Sequence, residues 1–152
     1  MLVTAEFLKE KEACTDGYRY VSEKGWLGLE TVPFLRNLMT DKKYDWANWL
    51  IVRCMVKKQY LAYAIYAAEQ VIEIYEKQYP KDDRPRKAIE AAKKYLEKPT
   101  DKNKDAAAHA ADAADAAAYA ADAADAARAA YAAAREQMQI KILEYGIGLL
   151  EP

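Results

Sequence analysis

The chain has 152 residues, 53% of them hydrophobic, and its 23 basic side chains nearly cancel 24 acidic ones to leave a net charge of −1. That balance excludes global attraction to a nucleic-acid polyanion or an anionic membrane. No apolar core follows Met1-Leu2-Val3-Thr4, and the longest strongly apolar run, Trp49-Leu50-Ile51-Val52, is far shorter than a membrane span.

Valine, isoleucine and threonine are sparse and no period-two segment is sustained, so the expectation is all-α. One compact multi-helix domain is expected over residues 1–152, with a helical front part at about 4–98 and an alanine-rich helical part at about 101–145. Thr4 is a candidate N-cap for a first helix through about Cys14, and the segment beginning at Cys14 continues or restarts it and stops at Gly25. Thr31 with Pro33 opens a short helix carrying Phe34, Leu35, Leu38 and Met39, and Asp45 caps another bearing Trp46, Trp49, Leu50 and Val52. Residues 57–79 place Tyr60, Leu61, Ala64, Ile65, Ala68, Val71, Ile72 and Tyr75 at helical spacing, which predicts their face as the inward one. Pro80 ends that helix. Asp82-Asp83-Arg84-Pro85 starts the next, which turns Ala88, Ile89, Ala92, Tyr95 and Leu96 inward and stops at Pro99.

Thr100 or Asp101 then caps a segment with no Gly or Pro until Gly146. Within it, residues 105–135 read DAAAHAADAADAAAYAADAADAARAAYAAAR. Alanine loses no side-chain entropy in a helix and lets neighbouring backbones approach closely, so the stretch is expected to pack against the 57–79 and 84–98 helices. Some 40 helical residues would reach about 60 Å, longer than a domain of this size. The polar positions also recur slightly faster than the helical turn, so the stripe they form swings around the axis. A bend or break within about 117–128 is therefore predicted, or else a long helix whose exposed face changes as its neighbours change.

One serine (Ser22) and one histidine (His109) leave little material for a nucleophilic triad. Cys14 and Cys54 do not form a disulfide framework and are expected as free, partly buried thiols of a reducing cytoplasm. His109, Asp112, Asp115, Tyr119 and Asp122 share one face and raise a metal-dependent enzyme as a remote alternative. Bundle metal sites recruit a second carboxylate helix, however, and Glu69, Glu73 and Glu76 read as solvent-facing. No cofactor and no metal are expected.

The most informative local cluster is Arg84, Arg86 and Lys87 around Pro85. Pro85 suits the first helical position, so two guanidinium groups stand beside free backbone N–H groups, an arrangement that can hold a phosphate or carboxylate. The competing reading is internal pairing of Arg84 or Arg86 with Asp83, Asp45 or Glu90. Twelve tyrosines and three tryptophans form the other excess. Trp46 and Trp49, with Arg53 one turn on, are candidate partner contacts beside the Arg84 cluster, since Trp, Tyr and Arg anchor interfaces. A methyl-rich helix face also leaves a homo-oligomer open.

CTDGYRYV, DWANWLIVR, DDRPRKAIEAAKKYL and the alanine tract ending near REQMQIKIL occur in this order. Together they resemble the alanine-rich all-α immunity proteins of bacterial polymorphic toxin systems, which have phage and prophage relatives. The resemblance runs over about residues 10–143, and Asp82-Asp83-Arg84-Pro85-Arg86-Lys87-Ala88-Ile89-Glu90-Ala91-Ala92 is its most specific piece. Two departures stand out: Tyr20 occupies the place where the family pattern commonly has Trp, and the Asp-rich spacing of residues 110–125 is tidier than usual. The resemblance implies a non-enzymatic protein that binds and neutralises a toxin or effector. Its phage relatives imply an alternative, an anti-defence protein sequestering an anionic nucleotide at the Arg84/Arg86 helix start.

Overall fold

A computed structural model describes residues 1–104 and 128–151. The described secondary structure is helical: α1 (Ala5–Glu10), α2 (Thr15–Glu23), α3 (Thr31–Thr40), α4 (Tyr44–Cys54), α5 (Lys57–Gln78), α6 (Arg84–Glu97) and α7 (Arg128–Leu150). Residues 101–104 are helical as well, and the only extended pairing among the described residues is an isolated bridge between Leu2 and Glu30. The all-α expectation therefore holds. The bend expected at about 117–128 lies outside the described residues, save Arg128.

The chain divides into two compact units, one built from Met1–Val56 with Leu143–Pro152, the other from Lys57–Ile142. In the first unit Val3, Leu8, Val21, Phe34, Leu35, Leu38, Ala47, Leu50 and Ile51 are buried together with Leu143 and Ile147. Thr31, also buried, satisfies its hydroxyl by donating to the Met1 carbonyl at 3.0 Å. Its backbone N–H donates to the same carbonyl, and Val3 N–H reaches Leu29, so the first residues are tied to the loop before α3.

Several boundaries differ from expectation, each for a local reason. Thr4 caps α1 as predicted, its hydroxyl accepting from Phe7 N–H at 3.2 Å. The helix nevertheless ends at Glu10 rather than near Cys14, because Glu12 adopts φ 58° and the N–H groups of Glu12 and Ala13 fold back onto the carbonyls of Lys9 and Leu8. This is the paired closure usually built on glycine. Lys42 (φ 56°) closes α3 in the same way, and Gly25 (φ 68°) closes α2 where the sequence predicts a stop.

Cys14 is exposed rather than partly buried because it caps α2, its Sγ accepting from Gly17 N–H at 3.3 Å. Asp45 is not a cap: α4 starts at Tyr44, and Asp45 sits in the first turn, where its charge suits the positive end of the helix dipole.

In the second unit α5 and α6 run antiparallel, with Glu76 paired to Arg86 at the turn and Glu69 to Lys93 at 2.5 Å further along. The buried side chains of α5 are Tyr63, Ile65 and Ile72, whereas Tyr60, Ala64 and Val71 of the predicted inward face are exposed. Apolar residues surround most of this Ala- and Tyr-rich helix, so periodicity alone did not single out the face that α6 covers. Glu69 and Glu76, expected in solvent, lie on the α6 side. On α6, Pro85 and Ala88 are buried. Thr100 caps the next helical turn, accepting from Asn103 N–H at 3.3 Å. Asn103 in turn donates to the Lys98 carbonyl at 2.9 Å, satisfying the open end of α6.

The alanine-rich helical part was expected to end at about 145, but α7 continues through Gly146 to Leu150. Burial of Leu143 and Ile147 on either side of Gly146 outweighs glycine's low helix propensity.

Candidate functional site

The six candidate residues fall into two groups, one in each unit. In the second unit, Arg84, Arg86 and Lys87 occupy the first turn of α6. Arg84 forms a two-pronged pair with Asp82, Nε to Oδ1 at 2.8 Å and Nη2 to Oδ2 at 2.6 Å. Asp82 is further held by the Arg84 backbone N–H at 3.1 Å and by the Tyr75 hydroxyl, which donates at 2.8 Å. The Arg84 guanidinium, then the Tyr75 hydroxyl, hold the Asp82 carboxyl well below the usual carboxylate range. Arg86 makes a two-pronged pair with Glu76, including Nη2 to Oε2 at 2.6 Å, and Lys87 pairs with Asp83 at 2.7 Å.

Each cation of the helix start is thus matched to a carboxylate. Only Asp83 among the expected acceptors appears, and it serves Lys87 rather than an arginine. Glu76 was missed because it lies ten residues upstream and is placed only by the α5–α6 turn. The three basic side chains remain 77%, 50% and 70% exposed, so the pairs fix their heads in place without hiding them. They form a patterned charged surface.

In the first unit, Trp46, Trp49 and Arg53 line up on α4. The Arg53 guanidinium lies 4.1 Å from the Trp49 ring centre and donates to the Trp49 carbonyl at 2.8 Å. Trp46 meets the edge of Tyr20 at a centroid distance of 5.3 Å, with Lys43 Nζ 5.1 Å from its ring centre. This places Trp46 in a cluster that the sequence reading missed. Tyr20 also packs edge-on against Trp26, which in turn meets Phe34, while Lys24 and Lys43 lie over the Tyr20 ring.

Asp41 joins the cluster by accepting from the Tyr20 hydroxyl at 2.7 Å and from Lys24 at 2.9 Å. The hydroxyl is what a tyrosine supplies at this position and a tryptophan would not. Hydrogen bonding to Asp41 raises the Tyr20 and Lys24 pKa values, while Lys24 and then Tyr20 lower that of Asp41. A depressed carboxyl contributes stability that is present above its unfolded value and lost as pH falls through the folded one. Asp41→Asn is therefore expected to lower the melting temperature at pH 7 and to narrow the difference between pH 7 and pH 3; an unchanged difference would exclude Asp41 as a source of acid sensitivity.

Next to this cluster a cavity of about 260 Å³ opens between α1, α2, α3 and α4. Leu8, Val21, Phe34, Leu38 and Leu50, all buried, form its floor. Tyr18, Trp46 and Trp49 contribute aromatic walls, and Glu12, Cys14 and Asp45, all exposed, stand at its mouth. Gly17 lines it too: a methyl there would come within 3.2 Å of Cys14 Sγ and 3.7 Å of the Trp46 ring. The Cys14-Thr15-Asp16-Gly17 segment therefore has two local uses, a thiol cap and a bare wall.

Cys54 is half-buried, and burial pushes its thiol pKa up, which leaves it poorly suited to act as a nucleophile. The His109–Asp122 stripe, on which a metal alternative rests, lies outside the described residues. Among the described residues no group of three or more His, Cys, Asp or Glu side chains is placed to hold a metal ion, and no helix is long and apolar enough to cross a membrane.

Residues 52–139, more than half of the chain, match the family described as Imm-5 like putative immunity protein. The matched span contains α5, α6 and the Arg84 cluster, and it is narrower than residues 10–143, leaving out Trp46 and Trp49. No curated protein and no solved structure matches the chain.

Proposed function

Because the chain belongs to the Imm-5 like putative immunity protein family, we propose that it acts by binding: it captures a toxin or effector protein in bacterial or phage conflict and neutralises it without catalysis. Family membership carries this reading. The described geometry supports it, since the exposed heads of Arg84, Arg86 and Lys87 are held in fixed positions by Asp82, Glu76 and Asp83. Preorganised charges of this kind favour docking on a complementary surface, because little side-chain freedom is lost on association. An anionic nucleotide would have to compete with two carboxylates for the same guanidinium groups, so nucleotide sequestration is the weaker reading. The cytoplasm is the compartment in which we place the encounter.

The test is co-expression of the chain with toxin domains from polymorphic toxin systems, scored by growth. One toxin is expected to be neutralised through a stoichiometric complex, with Arg86→Ala weakening that complex at least tenfold, about 1.4 kcal/mol. Glu76→Gln separates contact from scaffolding, because it frees Arg86 without removing it and should weaken the complex less than Arg86→Ala does. Undiminished neutralisation by a folded Arg86→Ala variant would remove Arg86 from the interface. Native mass spectrometry showing a bound small anion, lost in Arg84→Ala and Arg86→Ala, would replace the protein partner with a nucleotide.

A further inference from the structure

We infer that the turn between α5 and α6 is the centre of the partner contact: the Tyr79 ring enters an apolar recess of the captured protein, and carboxylates bordering that recess meet Lys77 and Lys81. The inference rests on the binding reading above and names the chemistry of its partner, a protein surface that is acidic around an apolar hollow.

Tyr79 is fixed and yet left in water. Its backbone N–H donates to the Tyr75 carbonyl at 2.8 Å, and its own carbonyl accepts from Asp82 N–H at 3.0 Å. The second bond closes a four-residue turn, Tyr79-Pro80-Lys81-Asp82, with Pro80 in the position that its fixed φ suits. The ring centre lies 4.9 Å from that of Tyr75, whose hydroxyl is fastened in turn to Asp82 at 2.8 Å. Despite these restraints Tyr79 remains 39% exposed. A ring so held has little freedom left to lose on association, and tyrosine is among the residues that anchor protein interfaces.

Charge selects the partner. Between Tyr75 and Lys87 the chain has five cations, Lys77, Lys81, Arg84, Arg86 and Lys87, and three carboxylates, Glu76, Asp82 and Asp83. Arg86, Arg84 and Lys87 take up these three in that order. Lys77 and Lys81, two residues to either side of Tyr79, are exposed and have no ion pair among the described residues. The turn therefore carries a surplus of two positive charges around an exposed ring, which favours an acidic partner and opposes a basic one. The next cationic head along the chain is Arg84, so the turn continues the charged surface of the α6 start.

The surface can be probed without the toxin. An acetylated, amidated Glu-Leu-Leu-Glu peptide carries carboxylates around an apolar centre, and Gln-Leu-Leu-Gln keeps the shape without the charge. Each is titrated into the full-length protein at low ionic strength, where screening is weak, and followed through backbone amide resonances by NMR. The acidic peptide is expected to shift Lys77, Tyr79 and Lys81 saturably at roughly millimolar concentration, with the neutral peptide at least tenfold weaker. The Lys77→Gln, Lys81→Gln double variant should bring the two peptides together. Tyr79→Ala should weaken both by about threefold or more, while Tyr79→Phe, which keeps the ring, should bind as the wild type does. Melting temperatures check that each variant remains folded.

Equal binding of the two peptides by the wild type, no shift at Lys77, Tyr79 and Lys81, or full-strength binding by folded Tyr79→Ala would overturn the inference. So would inorganic pyrophosphate moving the same amides at lower concentration than the acidic peptide, which would assign the charge surplus to a phosphate ligand. The two readings fail separately: a protein that neutralises a toxin but ignores the acidic peptide loses only this contact. One that takes the peptide yet protects against no toxin loses only the neutralising role.

Discussion

Ile147→Ala is expected to reduce unfolding stability by about 2–5 kcal/mol, the usual cost of truncating a fully buried aliphatic residue whose surroundings relax only in part. Ile147 is 1% exposed, as is Leu143 one turn earlier, and both lie in the unit that also buries Phe34, Leu35 and Leu50. Because whole domains are stable by only about 5–15 kcal/mol, this one change should move the urea midpoint strongly. The exposed ion pair between Arg36 and Glu144, at 3.1 Å, provides the contrast. Glu144→Gln on the same helix should cost less than about 1 kcal/mol, since solvent screens such pairs. An Ile147→Ala loss no larger than that of Glu144→Gln would mean that residues 143–150 do not support the first unit's core.

A second large effect is expected in alkali. Tyr63 on α5 is only 3% exposed, and burial pushes its phenol up to about 12. The folded value lies above the unfolded one near 10, so the stabilisation is fully present below pH 10 and is lost as pH rises towards 12. Two units correspond to roughly 2–3 kcal/mol. Tyr20 and Tyr75 are also raised, through hydrogen bonds to Asp41 and Asp82, and will add to the alkaline loss. Denaturant titrations at pH 8 and pH 11 should therefore diverge less in Tyr63→Phe than in the wild type. Equal divergence would show that Tyr63 ionises in the folded protein as freely as in the unfolded chain.

The helical class and most helix positions were legible because they depend on local signals. Thr4, Pro80, the Arg84-Pro85 start and Thr100 act within a few residues of where they stand. The unexpected boundaries also have local geometry but lack the usual residue: Glu12 and Lys42 adopt the backbone turn normally marked by glycine. Tertiary choices were harder to read. Nothing in the pattern of residues 57–79 shows that α6 covers the Glu69–Glu76 side, because apolar residues occupy nearly the whole circumference.

For the candidate site, the sequence singled out Arg84, Arg86 and Lys87 as a cluster and Asp83 as an acceptor, but neither Asp82 nor Glu76 as a partner. Asp82 and Asp83 are neighbours in the chain, whereas Glu76 is brought to Arg86 only by the reversal between α5 and α6. Trp46 and Trp49 were visible as aromatics. The cavity they line was not, since it is assembled from residues spread between Leu8 and Leu50. Their joining depends on how four short helices stack, which no spacing rule encodes.

The first unit draws on both Met1–Val56 and Leu143–Pro152, and this has a consequence for birth at the ribosome. Its first part emerges from the exit tunnel with the places for Leu143 and Ile147 unfilled. Synthesis of residues 57–142 at 5–20 residues per second imposes a delay of roughly 4–17 s before the missing pieces are made. During that interval the first unit lacks two of its buried side chains, while the second unit can already begin to form. Translation speed through the alanine codons therefore sets how long each new molecule waits to complete its core.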